Sequence, residues 1–368
     1  MSRPSTDQRV AAADGASVGV ALLGFGFAGQ TFHAPFITTT PGLDLRVVAS
    51  SQPAKVADAY PGLDVVPRPL DAITHEDVEL VVIATPNDTH ASLAEAALRA
   101  GRHVVVDKPF TITPDQARSV VATAEAAGRL VSVFQNRRWD SDFLAIRHAL
   151  ENGIIGDVVE FRSEIARWRP QVRDRWRERP GPGAGLWYDL GPHLVDQAVL
   201  LFGTPDAVQA LLRTQRPGGQ TDDWFHIVLH YRTRQVMLSA SMLAAERASR
   251  FVVRGTAGSL VKHGGDQQER QLIAGARPGA ADWGHDPDPL IVWRGGDDPL
   301  GSPVPAGNYG QFYAAMRDAI REGNPVPVSA ADAMAVMMII AAGLQSSADG
   351  RAVEIARDPP RDVPRRIP

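Results

Sequence analysis

The chain has no cysteine, which excludes disulfides, thiolate zinc sites, iron–sulfur clusters and cysteine nucleophiles. It also has no long apolar run. The longest, residues 333–344, is shorter than the ~18 residues that span a bilayer, so no membrane association is expected. Residues 1–16 carry four charges and no apolar segment, so they do not resemble a signal peptide. We therefore expect a soluble cytoplasmic protein.

Positive charge is also not in excess. Lys and Arg number 38 against 42 Asp and Glu, a net charge of −4, so nucleic-acid binding is not expected. Residues 160–179 hold seven arginines and two tryptophans, but four acidic residues are interspersed. We interpret this segment as a loop over an active site, partly paired with acids. No metal site is predicted, since His226 and His230 have no nearby carboxylates.

The length of 368 residues favours two domains. Strand and helix patterns alternate in the first half, which is typical of a parallel sheet covered on both faces. The predicted strands there are 18–23, 45–49, 79–84, 103–106 and 130–134. After Arg138, strands follow one another at short spacing and predict a mostly antiparallel sheet, at 157–165, 206–214, 223–231, 234–243 and 250–262.

The predicted fold class is thus α/β, a Rossmann domain followed by an α/β domain with an open, mostly antiparallel sheet. The expected boundaries are a tail at 1–16, a dinucleotide-binding domain at 17–136, a substrate and oligomerisation domain at 137–350 and a tail at 351–368, loosely ordered from Asp358. Residues 278–308 are rich in Gly, Pro and Asp and predict a long loop. Helices are predicted at 187–202, 309–321 and 329–347, and Pro192 is an alternative start for the first of them. Capping boxes are predicted at Thr113 with Gln116 and at Ser329 with Asp332.

A glycine-rich loop follows the first predicted strand and opens a helix. It spells G-x-G-x-x-G, and its residues are Gly24, Phe25, Gly26, Phe27, Ala28 and Gly29. The first glycine permits a tight turn, the second lets a pyrophosphate approach the backbone, and the third lets the helix pack on the strand. In this context the motif predicts a dinucleotide site. His33, just beyond it, either contacts phosphate or packs in the core.

The end of the second strand favours NADP over NAD. An NAD site usually has an acid about 20 residues beyond the loop, but here Ala49 is followed by Ser50 and Ser51. These serines and Lys55, one helical turn later, could bind a 2′-phosphate. NAD stays open as the alternative cofactor.

Three residues form a candidate catalytic set. Lys108 follows the fifth strand, where parallel strands meet a ligand crevice, and Asp189 and His193 are spaced to share one helix face. For hydride transfer from a hydroxyl, His193 is suited to proton transfer, Lys108 to stabilising an alkoxide and Asp189 to binding substrate. The roles of Lys108 and His193 could be exchanged.

Together these motifs resemble the Gfo/Idh/MocA oxidoreductase family, which shares the glycine loop, a (Glu/Asp)-Lys-Pro motif and Asp-x-x-x-His. Here the second and third are Asp107-Lys108-Pro109 and Asp189/His193. Further segments, among them 31–35, 136–140 and 169–177, resemble the branch of NADP-dependent scyllo-inositol dehydrogenases. That resemblance implies reversible oxidation of a small polyol, scyllo-inositol, to the ketone scyllo-inosose. It also implies a homodimer or homotetramer.

The same resemblance implies further site residues. Those expected along the cofactor are Thr85, Pro86, Asn87, His90, Asp107, Lys108, Asn136 and Arg137, with Trp168 closing over the nicotinamide. Those expected to contact the polyol, beside the catalytic set, are Tyr188, Asn308 and Tyr309.

Three alternatives stay open from the sequence. The substrate could be another sugar or inositol. The protein could be a non-catalytic NADP-binding sensor on the same scaffold. It could also be a hydrolase or epimerase that uses a tightly held NAD without net reduction.

Overall fold

The computed structural model describes residues 17–296 and 298–356. The predicted tail at 1–16, and the tail expected from Asp358, lie outside these described residues.

The first part of the chain forms a six-stranded parallel sheet. Its strands are β1 (Val18–Leu23), β2 (Leu43–Ala49), β3 (Asp64–Val66), β4 (Leu80–Ile83), β5 (His103–Val106) and β6 (Val131–Val133), in the order β3-β2-β1-β4-β5-β6. The helices are α1 (Ala34–Thr39), α2 (Pro53–Ala59), α3 (Pro69–Ile73), α4 (His90–Arg99) and α5 (Pro114–Ala127). All residues of β1 and β4 are buried, as expected for strands covered on both faces. The strand order reverses between these two strands, which is where open α/β sheets bind ligands.

The second part forms a nine-stranded sheet. Its strands are β7 (Val158–Ala166), β8 (Ala207–Arg213), β9 (Trp224–His230), β10 (Gln235–Ser241), β11 (Phe251–Gly255), β12 (Gly258–Lys262), β13 (Leu290–Trp293), β14 (Leu300–Ser302) and β15 (Val353–Glu354). The order is β14-β13-β12-β11-β7-β10-β9-β8-β15, with β7 and β10 the parallel pair. The predicted mostly antiparallel sheet is therefore confirmed.

The helices of this part are α6 (Ser141–Glu151), α7 (Leu186–Phe202), α8 (Gln268–Ile273), α9 (Gly310–Glu322) and α10 (Ala330–Asp349). Alternation along β9 buries Phe225, Ile227 and Leu229 in the core beneath α7 and α10, while the residues between them, on the opposite face of the sheet, are only half-buried.

Four local predictions need correction. The expected loop at 278–308 contains β13 and β14, and the segment 250–262 is a hairpin of two strands. The tail expected from residue 351 begins with β15, which pairs with β8. Helix α7 runs through Pro192 instead of beginning there, because its first turn is anchored elsewhere, as described below.

Late residues of the chain complete the first core. Tyr309, Phe312 and Tyr313 join the core of the parallel sheet, while α10 contributes Met337 to that core and Ile340 to the second. Among the described residues, α10 alone has the length and composition of a membrane span, but it is used here to join two cores. The domain boundary at 136/137 stays a prediction, since the chain returns to the first core after crossing into the second.

Candidate active site

The glycine loop forms a tight turn between β1 and the first helical turn. Gly24 has φ +94°, and a Cβ there would lie 2.6 Å from the Ala84 carbonyl oxygen. A Cβ on Gly29 would lie 2.1 Å from the Gly24 carbonyl oxygen. At Gly26, by contrast, a Cβ would meet nothing within 4 Å, so this residue faces open space. Gly24 and Gly29 are thus required by the shape of the loop, whereas Gly26 leaves room for a ligand to approach the backbone.

A cleft of about 470 Å³ lies along this loop. Predicted cofactor residues among its lining are Gly24, Phe25, Gly26, Phe27, Ala28, Ser50, Ser51, Thr85, Pro86 and Asp107. After β2 the lining consists of Ser50, Ser51 and Gln52, so the position that usually grips a ribose hydroxyl carries no acid. These residues fit a nicotinamide dinucleotide.

Lys55, Asn87 and His90 are among the predicted cofactor residues that do not line the cleft. Lys55 lies on α2, outside the lining. Asn87 is buried and donates to the Gly183 carbonyl oxygen at 3.2 Å. His90 is buried with its ring nitrogens 2.8 Å and 3.0 Å from the carbonyl oxygens of Pro109 and Thr85. The last two therefore support the cleft wall from behind.

His33 packs instead of facing the cleft. It is fully buried, its Nδ1 lies 2.6 Å from the Tyr313 hydroxyl, and its ring lies against Phe134. Of its two sequence interpretations, the structure supports the packing role.

A second cavity, of about 350 Å³, adjoins the cleft and contains the three catalytic candidates. Lys108 Nζ donates to the Asp189 carbonyl oxygen at 2.7 Å and to Asp189 Oδ1 at 3.0 Å. Both side chains are largely buried, with 13% and 16% exposed. Burial alone would raise the pKa of Asp189, but Lys108, Arg177 and Arg167 outweigh it and hold the carboxyl well below its ordinary value. The Asp189 carboxyl is therefore ionised at neutral pH.

The start of α7 is fixed by two contacts of Trp187, one from its backbone and one from its side chain. Asp222 accepts from the Trp187 backbone N–H at 2.6 Å, and the Trp187 indole donates to the Ile340 carbonyl oxygen at 2.9 Å. Pro192 comes later, and its missing N–H removes one intrahelical bond without ending the helix. As a result Asp189 and His193 lie one turn apart and both reach the cavity.

His193 is the neutral base candidate. It is 5% exposed, and its Nδ1 is buried with no hydrogen-bond partner among the described residues. Burial lowers its pKa well below the ordinary value, and the positive charges of Lys108, Arg137 and Arg167 lower it further. The imidazole is thus uncharged at neutral pH and able to accept a proton.

Asn136 and Arg137, which the resemblance places along the cofactor, follow β6 and line the catalytic cavity instead of the glycine-loop cleft. Arg137 forms ion pairs with Asp140 at 3.0 Å and Glu269 at 3.1 Å. These contacts hold its side chain along the cavity wall.

The three predicted polyol contacts do not line the cavity. Tyr188 donates to the Ile112 carbonyl oxygen at 2.9 Å, and the buried Tyr309 donates to Asp140 Oδ1 at 2.6 Å. Asn308 is exposed and lies outside the lining. Hydroxyls already committed to internal acceptors are poorly available to a substrate, so these assignments are corrected.

The assignment of Trp168 to the nicotinamide is also corrected. It is 59% exposed because it lies between Arg167 and Arg169 on an extended segment, where alternate side chains point to opposite sides. Trp176 lines the cofactor cleft instead, with the Arg177 guanidinium 4.4 Å from its ring centroid. The sequence analysis missed Trp176 and the arginines that line the cavity, namely Arg167, Arg169, Arg173, Arg175 and Arg177. The arginine-rich composition of 160–179 was the available signal.

Comparison with known proteins agrees with this geometry. Residues 18–135 match the model of an oxidoreductase family, NAD-binding Rossmann fold, and residues 147–355 match its C-terminal alpha/beta domain. The oxidoreductase YdgJ of Escherichia coli is 48% identical over 90% of this chain and 96% of its own. The scyllo-inositol 2-dehydrogenase (NADP(+)) IolW of Bacillus subtilis is 35% identical over 92% and 96%. A solved oxidoreductase structure from Yersinia pestis is 46% identical, with a TM-score of 0.90 and coverage of 94% and 99%.

Proposed function

Because the chain belongs to the Gfo/Idh/MocA oxidoreductase family, we propose that this nicotinamide-dependent dehydrogenase uses NADP to oxidise a ring hydroxyl of a small cyclic polyol. The first substrate to test is scyllo-inositol, with the ketone scyllo-inosose as product. The similarity to IolW supports both choices, and the Ser-Ser-Gln sequence after β2 supports NADP independently.

The observation that carries the proposal is the Lys108–Asp189 contact in a cavity shared with His193 and joined to the glycine-loop cleft. The cofactor, when bound, supplies the hydride acceptor. His193, held neutral, takes the hydroxyl proton as the carbon loses its hydride, and Lys108 stabilises the negative charge that develops on that oxygen. Asp189 orients Lys108 and accepts from a neighbouring substrate hydroxyl. The reverse reaction returns the same proton from His193.

We also propose a cytoplasmic homodimer or homotetramer. The open face of the nine-stranded sheet carries Leu211 and Trp293, which are 42% and 46% exposed, and association through this face would cover them. Sedimentation of the purified protein tests the oligomeric state.

Nicotinamide absorbance tests the activity. Purified protein is mixed with NADP or NAD and with scyllo-inositol, myo-inositol, glucose or xylose. Reduction of NADP by a polyol in the panel, faster than reduction of NAD, is the expected result. Faster reduction of NAD would contradict the cofactor assignment. A cofactor that co-purifies and shows no net reduction would contradict the dehydrogenase assignment.

A further inference from the structure

Arginines surround the catalytic cavity in excess of acids. Among its lining residues are seven cations, Lys108 and six arginines, against three acids, Asp107, Asp189 and Glu269. Two of these acids are already used, since Asp189 contacts Lys108 and Arg177, and Glu269 contacts Arg137. The surplus of positive charge therefore has no counterpart in the cavity wall.

The surplus is concentrated on three residues. Arg175 pairs with Glu178 at 2.8 Å and Arg177 lies 3.5 Å from Asp189. Arg167, Arg169 and Arg173 have no side-chain hydrogen bond or ion pair to any described residue. Arg173 is exposed at the cavity mouth, but Arg167 and Arg169 are half-buried. Burial, together with the nearby charges of Arg137 and Arg169, lowers the pKa of Arg167 to about 10.

These arginines face the substrate side of the cavity. None of the three lines the cleft along the glycine loop, where Arg177 is the lining arginine. Arg167 and Arg169 instead line a second adjoining cleft, together with Arg137, Glu164 and Glu269. Their position therefore separates them from the cofactor's phosphates.

We propose that Arg167 and Arg169 form an anion subsite for the substrate, so that the preferred substrate is a sugar or cyclitol carrying a carboxylate or phosphate. A half-buried guanidinium without a protein partner is costly, and a planar oxyanion can satisfy two of its N–H groups at once. The inference rests on the proposed dehydrogenase activity and narrows its cyclic polyol or sugar substrate to one that carries an anionic group. Arg173 at the mouth steers that anion inward.

The test uses matched pairs that differ only by the anionic group. They are glucose with glucuronate and glucose 6-phosphate, and myo-inositol with its 1-phosphate. We expect wild-type kcat/KM to favour an anionic member by about tenfold or more, the size of one charge-assisted hydrogen bond. In R167Q/R169Q the preference should largely disappear. The control R99Q/R118Q, which removes the same two positive charges from exposed positions on α4 and α5, should keep it.

Calorimetric binding of the anionic sugars to protein without cofactor is the second measurement. Binding that depends on Arg167 and Arg169, without turnover of any sugar, would support the anion subsite and contradict the dehydrogenase proposal. Turnover of both members at equal kcat/KM, with no calorimetric difference between variants, would overturn the subsite and leave the dehydrogenase proposal standing. A double variant that loses NADP affinity but keeps the substrate preference would also overturn it, by assigning the arginines to the cofactor.

Discussion

At the residue scale, Gly26 and Gly29 are three positions apart and serve different purposes. The space around Gly29 is filled by the protein's own backbone, whereas the space above Gly26 is open. The sequence motif treats the two glycines alike, and the structure separates the one that shapes the loop from the one that admits a ligand.

Gly26→Ala should therefore lower affinity for NADP without harming the fold. We expect binding to weaken by about tenfold or more, while the free energy of unfolding changes by less than about 1 kcal/mol. Fluorescence titration and urea unfolding measure the two effects. Gly29→Ala is the matched comparison, and its Cβ clash should destabilise the fold by about 1–3 kcal/mol. Wild-type affinity in G26A would contradict the loop's assigned role.

Charge around His193 gives a second prediction at this scale. Positive neighbours disfavour the imidazolium, so removing one must raise the pKa of His193. NMR titration of the ring should show a pKa below the ordinary 6.5 in the wild type and a higher value in Lys108→Met. Lys55→Met, on α2 and outside the cavity, should leave the titration unchanged.

The pH dependence of catalysis follows from the same shift. Because the base must be neutral, kcat/KM for alcohol oxidation should stay level through neutral pH and fall only below about 6.5. In H193Q activity should drop by about 10²–10⁴-fold. The decrease of kcat/KM at low pH, which is the acid limb of the profile, should also be lost. An unchanged limb in H193Q would assign proton transfer to another residue, with Lys108 the first to consider.

At the element scale, the capping of α5 was predictable because all its signals are local. Thr113 and Gln116 form both bonds of the capping box, as predicted. At Ser329 the first bond forms, from the Asp332 N–H at 3.1 Å, but the Asp332 carboxylate turns to Arg138 instead of reaching back. The capping box at Ser329 is thus incomplete because Arg138, which is distant in sequence, binds the Asp332 carboxylate.

Thr113→Ala should cost about 1 kcal/mol of unfolding free energy, because the N-terminal N–H groups of α5 lose their acceptor. Urea unfolding measures the loss, and Thr113→Ser, which keeps the hydroxyl, should recover most of it. Equal stability of the alanine and serine variants would show that the cap contributes nothing.

Elements that depend on distant contacts were harder to predict. Strands β13 and β14 lie in a segment rich in Gly and Pro. Strand β13 forms by pairing with β12, and β14 by pairing with β13. Helix α7 continues through Pro192 because Asp222 and Ile340, remote in sequence, hold its first turn. The catalytic set was predictable since each member lies in a local motif. The inward arginines and Trp176 were not, because the path of their loop depends on the assembled domain.

At the scale of the whole molecule, the two cores are joined by helices from the end of the chain. Tyr313 on α9 contacts His33 beside α1, and Ser132 on β6 donates to the Val328 carbonyl oxygen at 2.9 Å, just before α10. Alternating patterns correctly gave two sheets and their types, but patterning alone does not indicate that late helices return to the first sheet.

The Tyr313→Phe variant tests whether α9 stabilises the core of the first sheet. Loss of the buried hydroxyl leaves His33 Nδ1 without its hydrogen-bond partner and should cost about 1–2 kcal/mol. Hydrogen exchange should speed up in α1 and β1, while β8 and β9 keep wild-type protection. Faster exchange confined to the nine-stranded sheet would contradict the assignment of α9 to the first core.

The contribution of α9 also bears on how the protein is made. During translation, the six strands of the first sheet leave the ribosome well before Tyr309, Phe312 and Tyr313 are synthesised. In the nascent chain, Phe36 and Phe134 of the Rossmann domain therefore lack these packing partners until nearly all of the second sheet has been synthesised. Expressed alone, residues 17–136 would keep that apolar surface exposed permanently. We expect this fragment to aggregate unless a chaperone is present.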